Sequence, residues 1–174
     1  MLDVTGLEAS VRDMIAGAYT GQAGSTAGVA LLNAQAGRMS FDDAGKAWAD
    51  ALVAYGNGAT ALGASLVPGT LEAKQATLAS TLASNFAASV DALTSATAII
   101  SAIGTLWLGV AFPNGAVVTD VLLGQAVAVQ ALVTLAAVPS LTSKHAELSS
   151  VLDAYHRTIT FTQPGAPPVV GPLL

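Results

Sequence analysis

Two histidines are the side chains best suited to proton transfer or metal binding in this chain, His145 and His156 within "SLTSKHAELSSVLDAYHRTIT". They are eleven residues apart, about three helical turns, so they can share a helix side but cannot hold one ion between them. No H-E-x-x-H motif is present. The glycines of "YGNGATALG" (Gly56, Gly58 and Gly63) invite comparison with a dinucleotide loop, which needs G-x-G-x-x-G between a strand and a helix. Here the third glycine is misplaced and a helical pattern precedes it, so they are read as a helix end. Neither the G-x-x-x-x-G-K-[ST] phosphate loop nor the G-x-S-x-G nucleophile elbow occurs. The acids are scattered singly, except for Asp42 and Asp43, which suit a helix start. No catalytic, cofactor-binding or metal-binding residue is assigned, no cofactor is expected, and the chain is read as non-enzymatic.

Composition narrows the classes further. The chain has 174 residues, enough for one domain with a core. It is 53 % hydrophobic and only 10 % charged, against roughly a quarter charged in ordinary globular domains. The net charge is −5 with no basic run, so the electrostatic footprint of a nucleic-acid binder is missing. Cysteine is absent, which removes disulfides, thiolate metal sites and cysteine nucleophiles. The opening "MLDVTGLEASVRDM" has early acids and no basic n-region, and does not read as a signal peptide. The apolar content is mostly alanine. Helices with small faces approach closely but bury little area each, at roughly 25 cal/mol per Å², so burial against further copies would add stability.

The elements that must carry these residues read as helices nearly throughout. A capping box at Thr5 and Glu8 opens a first helix with Leu7, Val11, Met14 and Ala18 on one face. Residues 20–28 break it, and a short apolar segment follows over 29–37. Ser40 and Asp43 cap the next helix, whose face is Ala44, Ala47, Trp48, Ala51, Leu52 and Tyr55. After Pro68 and Gly69, a stripe from Leu71 through Leu78, Leu82, Phe86, Val90 and Leu93 to Ile100 predicts one helix of about thirty residues, roughly 45 Å long. Its opposite face is Ala, Ser and Thr. "FPNG" (Phe112 to Gly115) is a turn, with Asp120 expected at the start of the following helix, which runs to Pro139. A last helix presents Leu141, Leu148, Leu152, Tyr155 and Ile159. No internal period of 20–50 residues is evident. The expected fold is therefore all-α: a bundle of five or six helices including one long helix. It would form a single helical domain over 1–160 with an extended Pro-rich arm over 161–174.

Two stretches raise a membrane reading. Residues 92–119 and 121–143 are uncharged runs of 28 and 23 residues, each long enough to span a bilayer. Their Ser and Thr content, Asp120, and the lack of a Lys/Arg cluster argue against insertion. The ending "FTQPGAPPVVGPLL" poses a separate question. Pro164, Pro167, Pro168 and Pro172 bias it toward extended geometry. Val169, Val170, Leu173 and Leu174 can then dock it, and the expected role is a clasp lying across an adjacent subunit.

"MSFDDAGKAWADALVAY" (Met39 to Tyr55) resembles the acidic-capped, alanine-rich helix of many small tailed-bacteriophage proteins. "LDAYHRTITFTQPGAPPVVGPLL" (Leu152 to Leu174) is similar to the way such proteins close. The resemblance implies a virion structural component of head, neck, tail or baseplate, without catalytic residues. The expected function is a structural subunit located in the virion, a homo-oligomer that also contacts other virion structural proteins. The alternative expectation is a holin-like or genome-ejection protein that inserts the two uncharged stretches.

Overall fold

The computed structural model describes residues 2–19, 40–88, 91–136 and 145–174. The expected break at 20–28, the segment at 29–37 and the features at 139–144 lie outside these residues. Among these residues six helices are seen: α1 (Val4–Tyr19), α2 (Phe41–Gly56), α3 (Glu72–Ala88), α4 (Ala92–Trp107), α5 (Gln125–Ala136) and α6 (His145–His156). Five short strands accompany them: β1 (Thr60–Ala61), β2 (Ala64–Ser65), β3 (Val117–Asp120), β4 (Thr160–Gln163) and β5 (Val169–Pro172). They form an antiparallel pair, β1-β2, and an antiparallel sheet of order β3-β4-β5. The fold is therefore mixed α and β, which corrects the all-α expectation.

Local chemistry explains where the helices start. Ser40 accepts the Asp43 N–H and caps α2, with Asp42 and Asp43 in its first turn. At α1 the capping carboxylate is Asp3, whose Oδ1 accepts from the Gly6 N–H at 3.0 Å, instead of the expected Thr5–Glu8 box. The long helix over 71–100 is really two. Asp91 takes an extended backbone, and its carboxylate accepts from the Thr94 N–H and hydroxyl, both at 2.7 Å, starting α4. Asp120 is likewise no helix start. It ends β3, its carboxylate accepts the Leu122 N–H at 2.8 Å, and α5 begins only at Gln125.

The helices close a ring: each packs on the next in sequence, and α6 packs on α1. The tightest seam joins α2 to α3. A Cβ on Gly45 would fall 2.3 Å from the Ala79 carbonyl oxygen and 2.8 Å from the Ala83 nitrogen, so the two backbones nearly touch. Gly45→Leu is expected to lower stability by about 3 kcal/mol through overpacking, despite the roughly 1 kcal/mol that leaving glycine gains in a helix. Urea denaturation followed by circular dichroism would measure it; an unchanged midpoint would mean that the seam opens freely.

Within the ring one unit recurs three times. A helix ends on a buried aromatic residue and runs into a β-hairpin: α2, Tyr55 and β1-β2; α4, Trp107 and the hairpin over 110–118; α6, Tyr155 and β4-β5. Equivalent positions lie about fifty residues apart and repeat burial instead of identity. Trp48, Ile100 and Leu148 are buried together, as are Ala61, Phe112 and Phe161. This is why no period was legible. Gly69 and Gly124, with φ of 90° and 82°, each lead from a hairpin into the next helix; at Gly124 an added Cβ would also meet Thr158 at 2.6 Å.

The three hairpins interlock at the ends of α2, α4 and α6. β3 pairs with β4 through Val118 opposite Phe161. Thr60 and Leu174 exchange backbone hydrogen bonds of 2.8 and 3.1 Å. Asn114 ties the seam from the middle hairpin, its Nδ2 donating to the Ala61 carbonyl at 2.9 Å while its own carbonyl accepts from Gln163 Nε2 at 2.7 Å.

The C-terminal segment is extended as its prolines require, but it turns back on its own chain. Pro164, Pro167 and Pro168 occupy the exposed connection, and Val169, Val170 and Pro172 belong to β5, which pairs with β4. Leu173 is fully buried. Because the Leu173 N–H bonds to the Ile159 carbonyl, alternation places Val170 and Pro172 toward the outer edge, where a missing N–H costs nothing. Thr160–Gln163 and Val169–Pro172 thus belong to the same sheet as β3, and within one chain the segment packs on its own domain.

Candidate functional site

α6 carries the two histidines at its opposite ends. His145 Nε2 lies 3.2 Å from Glu8 Oε1 and ties α6 to α1. His156 is fully buried where the three units meet. Three rings surround it edge-on: Tyr55 at 4.8 Å, Trp107 at 6.1 Å and Tyr155 at 6.2 Å between centroids. Each comes from the end of a different helix of the repeated unit. His156 Nδ1 sits 2.7 Å from the Leu152 carbonyl oxygen, which can only accept, so Nδ1 carries the proton and Nε2 is a bare acceptor. Nε2 has no hydrogen-bond partner among the described residues, nor do the indole nitrogens of Trp48 and Trp107.

A polar chain runs beside this joint. The Tyr55 hydroxyl donates to the Asp153 carboxylate, and Arg157 Nε donates to the other Asp153 oxygen at 2.8 Å. The Tyr155 hydroxyl donates to the Val121 carbonyl at 2.6 Å and accepts from Gln125 Nε2 at 3.2 Å. Burial pushes both phenols up, and at Tyr55 the bond to Asp153 pushes the same way. Burial opposes charge on Asp153, yet the bonds from Arg157 and Tyr55 hold its carboxyl below the usual range. Burial pushes His156 down to about 4, which the Leu152 carbonyl and Asp153 only partly offset. A neutral imidazole beside a committed carboxylate could move protons, but the imidazole is fully buried in the joint and the part-exposed Asp153 is engaged by Tyr55 and Arg157. Among the described residues no three His, Asp or Glu side chains gather as a metal site requires.

The grooves lie on the outside. One, of about 240 Å³, runs between α3 and α4 over Leu78 and Leu106, walled by Thr77, Thr81 and Thr105, with Lys74 at one end. Lys74 Nζ donates to the Leu106 and Leu108 carbonyls at 2.8 and 3.1 Å, capping α4. Another, of about 720 Å³, runs between α5 and α6 and includes Val127, Gln130, Thr134 and Val151. The two occupy matching places in successive repeats: Thr81 corresponds to Thr134, and Lys74 to Val127. Where the first groove has Lys74, the second has the uncharged Val127. No family model, no curated protein and no solved structure matches this chain.

The surface near the second groove is more apolar than its composition suggests. Leu122, Leu123 and Val127 are 72 %, 59 % and 76 % exposed. Thr134 turns its hydroxyl back to the Gln130 carbonyl at 2.9 Å, and Thr97 and Thr105 do the same to Leu93 and Ser101 at 2.8 and 3.0 Å. Threonines bonded in this way present methyl groups outward. Sequence reasoning found the small-residue faces but missed this presentation, and placed the docking residues in the C-terminal segment, of which Leu173 is spent inside the fold. Residues 92–119 do not form one span, and of 121–143 the described part holds only the twelve-residue α5. The first contains α4, a hairpin and most of β3, and no described helix is long and apolar enough to cross a membrane.

Proposed function

We propose that this protein is a non-enzymatic structural subunit that assembles with copies of itself and with other components of a phage particle. One observation carries the assembly reading: large aliphatic side chains stand exposed on and before α5, a helix without a charged residue, in a chain of net charge −5. A contact through this face brings no like charges together. Exposed apolar groups clustered on one element mark association surfaces. The particle setting rests on the likeness of residues 39–55 and 152–174 to small tailed-phage proteins, and the virion is the corresponding location.

Val127→Lys is the direct test, because Val127 is exposed and its replacement leaves the core untouched. Sedimentation of the native protein should give a mass well above the 17.2 kDa chain, and Val127→Lys should move it toward the monomer without changing the circular dichroism spectrum. A native protein that stays monomeric at about 100 µM, in the micromolar range where weak interfaces are populated, would defeat the assembly reading.

A further inference from the structure

We propose that His156 is an acid-operated latch: a proton on its imidazole loosens the joint between the ends of α2, α4 and α6 and releases the β4-β5 hairpin from the ring. The geometry supplies the parts. Nδ1 already carries a proton toward Leu152, so a second must go to Nε2, which faces no acceptor among the described residues. The resulting cation would stand fully buried among the rings of Tyr55, Trp107 and Tyr155. An unsolvated charge of this kind strains packing that a neutral ring satisfies. The titratable and charged groups facing the joint are the Tyr55 hydroxyl from α2 and, from α6, the Asp153 carboxylate, the Arg157 guanidinium and the Tyr155 hydroxyl; α4 contributes only the uncharged indole of Trp107. Asp153 is the anion whose field acts on His156, and it is already engaged by Tyr55 and Arg157, while Asp120 on β3 reaches the joint only through Tyr155.

The link to the hairpin is short. The His156 carbonyl accepts the Ile159 N–H at 3.1 Å, and the Ile159 carbonyl accepts the Leu173 N–H at 3.0 Å. A shift of His156 therefore reaches the buried Leu173 through two hydrogen bonds. The sign follows from burial, which lowers the His156 pKa to about 4 from an ordinary value near 6.5. Opening exposes the ring and restores that ordinary value, so acid favours the open state. The opening equilibrium is unaffected above about pH 6.5, rises nearly tenfold per pH unit below it, and levels off near pH 4 after a total of about 300-fold.

Amide hydrogen exchange on the full chain, corrected for intrinsic rates, reads this directly. Between pH 7 and pH 4.5 the amides of 160–163 and 169–174 should lose protection by about 60-fold, while those of α3 around Leu82 and Phe86 keep most of theirs. In His156→Gln the hairpin protection should be nearly constant over that range, with the His145–Glu8 pair common to both proteins. Should His156→Gln fail to fold, His156→Phe keeps a ring in the site without the titrating nitrogen. Constant hairpin protection in the native chain, the same acid loss in the variant, or α3 losing protection in step with the hairpin would each overturn the latch.

Discussion

A chain ended after Pro168 is expected to lose about 5 kcal/mol of stability or more, which can abolish the fold of a domain whose total lies near 5–15 kcal/mol. Three losses add. Leu173 is fully buried, and emptying such a leucine site costs roughly 2–5 kcal/mol. The pairing of β5 with β4 disappears along with the Thr60–Leu174 exchange, at about 1 kcal/mol per net hydrogen bond. The inner edge of β4 is then bare, with Phe161 uncovered beside Gly171, and unpaired edges invite aggregation. A clasp on a neighbour would behave in the opposite way, leaving the fold intact and weakening association alone. Urea denaturation of the truncated chain separates the two, and an unchanged midpoint would remove β5 from the stabilising parts of the fold.

Trp107→Ala should cost about 3–5 kcal/mol, the range for emptying a large aromatic site. Trp107 is fully buried at the end of α4, and its ring supports two neighbours at once. It stands edge-on to His156, and its Cζ2 atom lies 3.0 Å from where a Cβ on Gly56 would be. No neighbour could fill the space without moving a helix end. At roughly 2–4 °C per kcal/mol for a domain of this size, the melting temperature should fall by about 6–20 °C. Trp107→Phe should cost less than half as much, since the indole N–H has no partner to lose. Equal losses for the two variants would show that the indole N–H contributes to stability.

Short-range chemistry was readable in the sequence, and long-range chemistry was not. Ser40 and Asp43 announced α2 because a cap and its targets are three residues apart, and the buried positions Trp48, Leu52 and Tyr55 followed from helical spacing. Asp91 escaped notice because the stripe through Phe86, Val90 and Leu93 continues across it; a cap inside an unbroken pattern looks like a surface acid. "FPNG" was seen as a turn, yet its flanking strands have four residues or fewer, too short for alternation to stand out. The joint at His156 leaves no local trace. Tyr55 and Asp153 are 98 residues apart in the chain, and no spacing rule connects them. Solvent exposure of Leu122, Leu123 and Val127 is equally invisible, because an apolar residue carries the same letter inside and out.

The ring of helices has a consequence for how the protein is made. Its closing contacts are distant in sequence, with 114 residues between Thr60 and Leu174 and α6 returning to α1. Closing a loop costs entropy that grows with its length, and topologies rich in such contacts fold slowly. The hairpin that fills the third place leaves the ribosome after every other described element. Until it arrives, the nascent chain holds two of three units, with Tyr55 and Trp107 exposed where the joint will form. Apolar surface left bare during that wait is prone to aggregation.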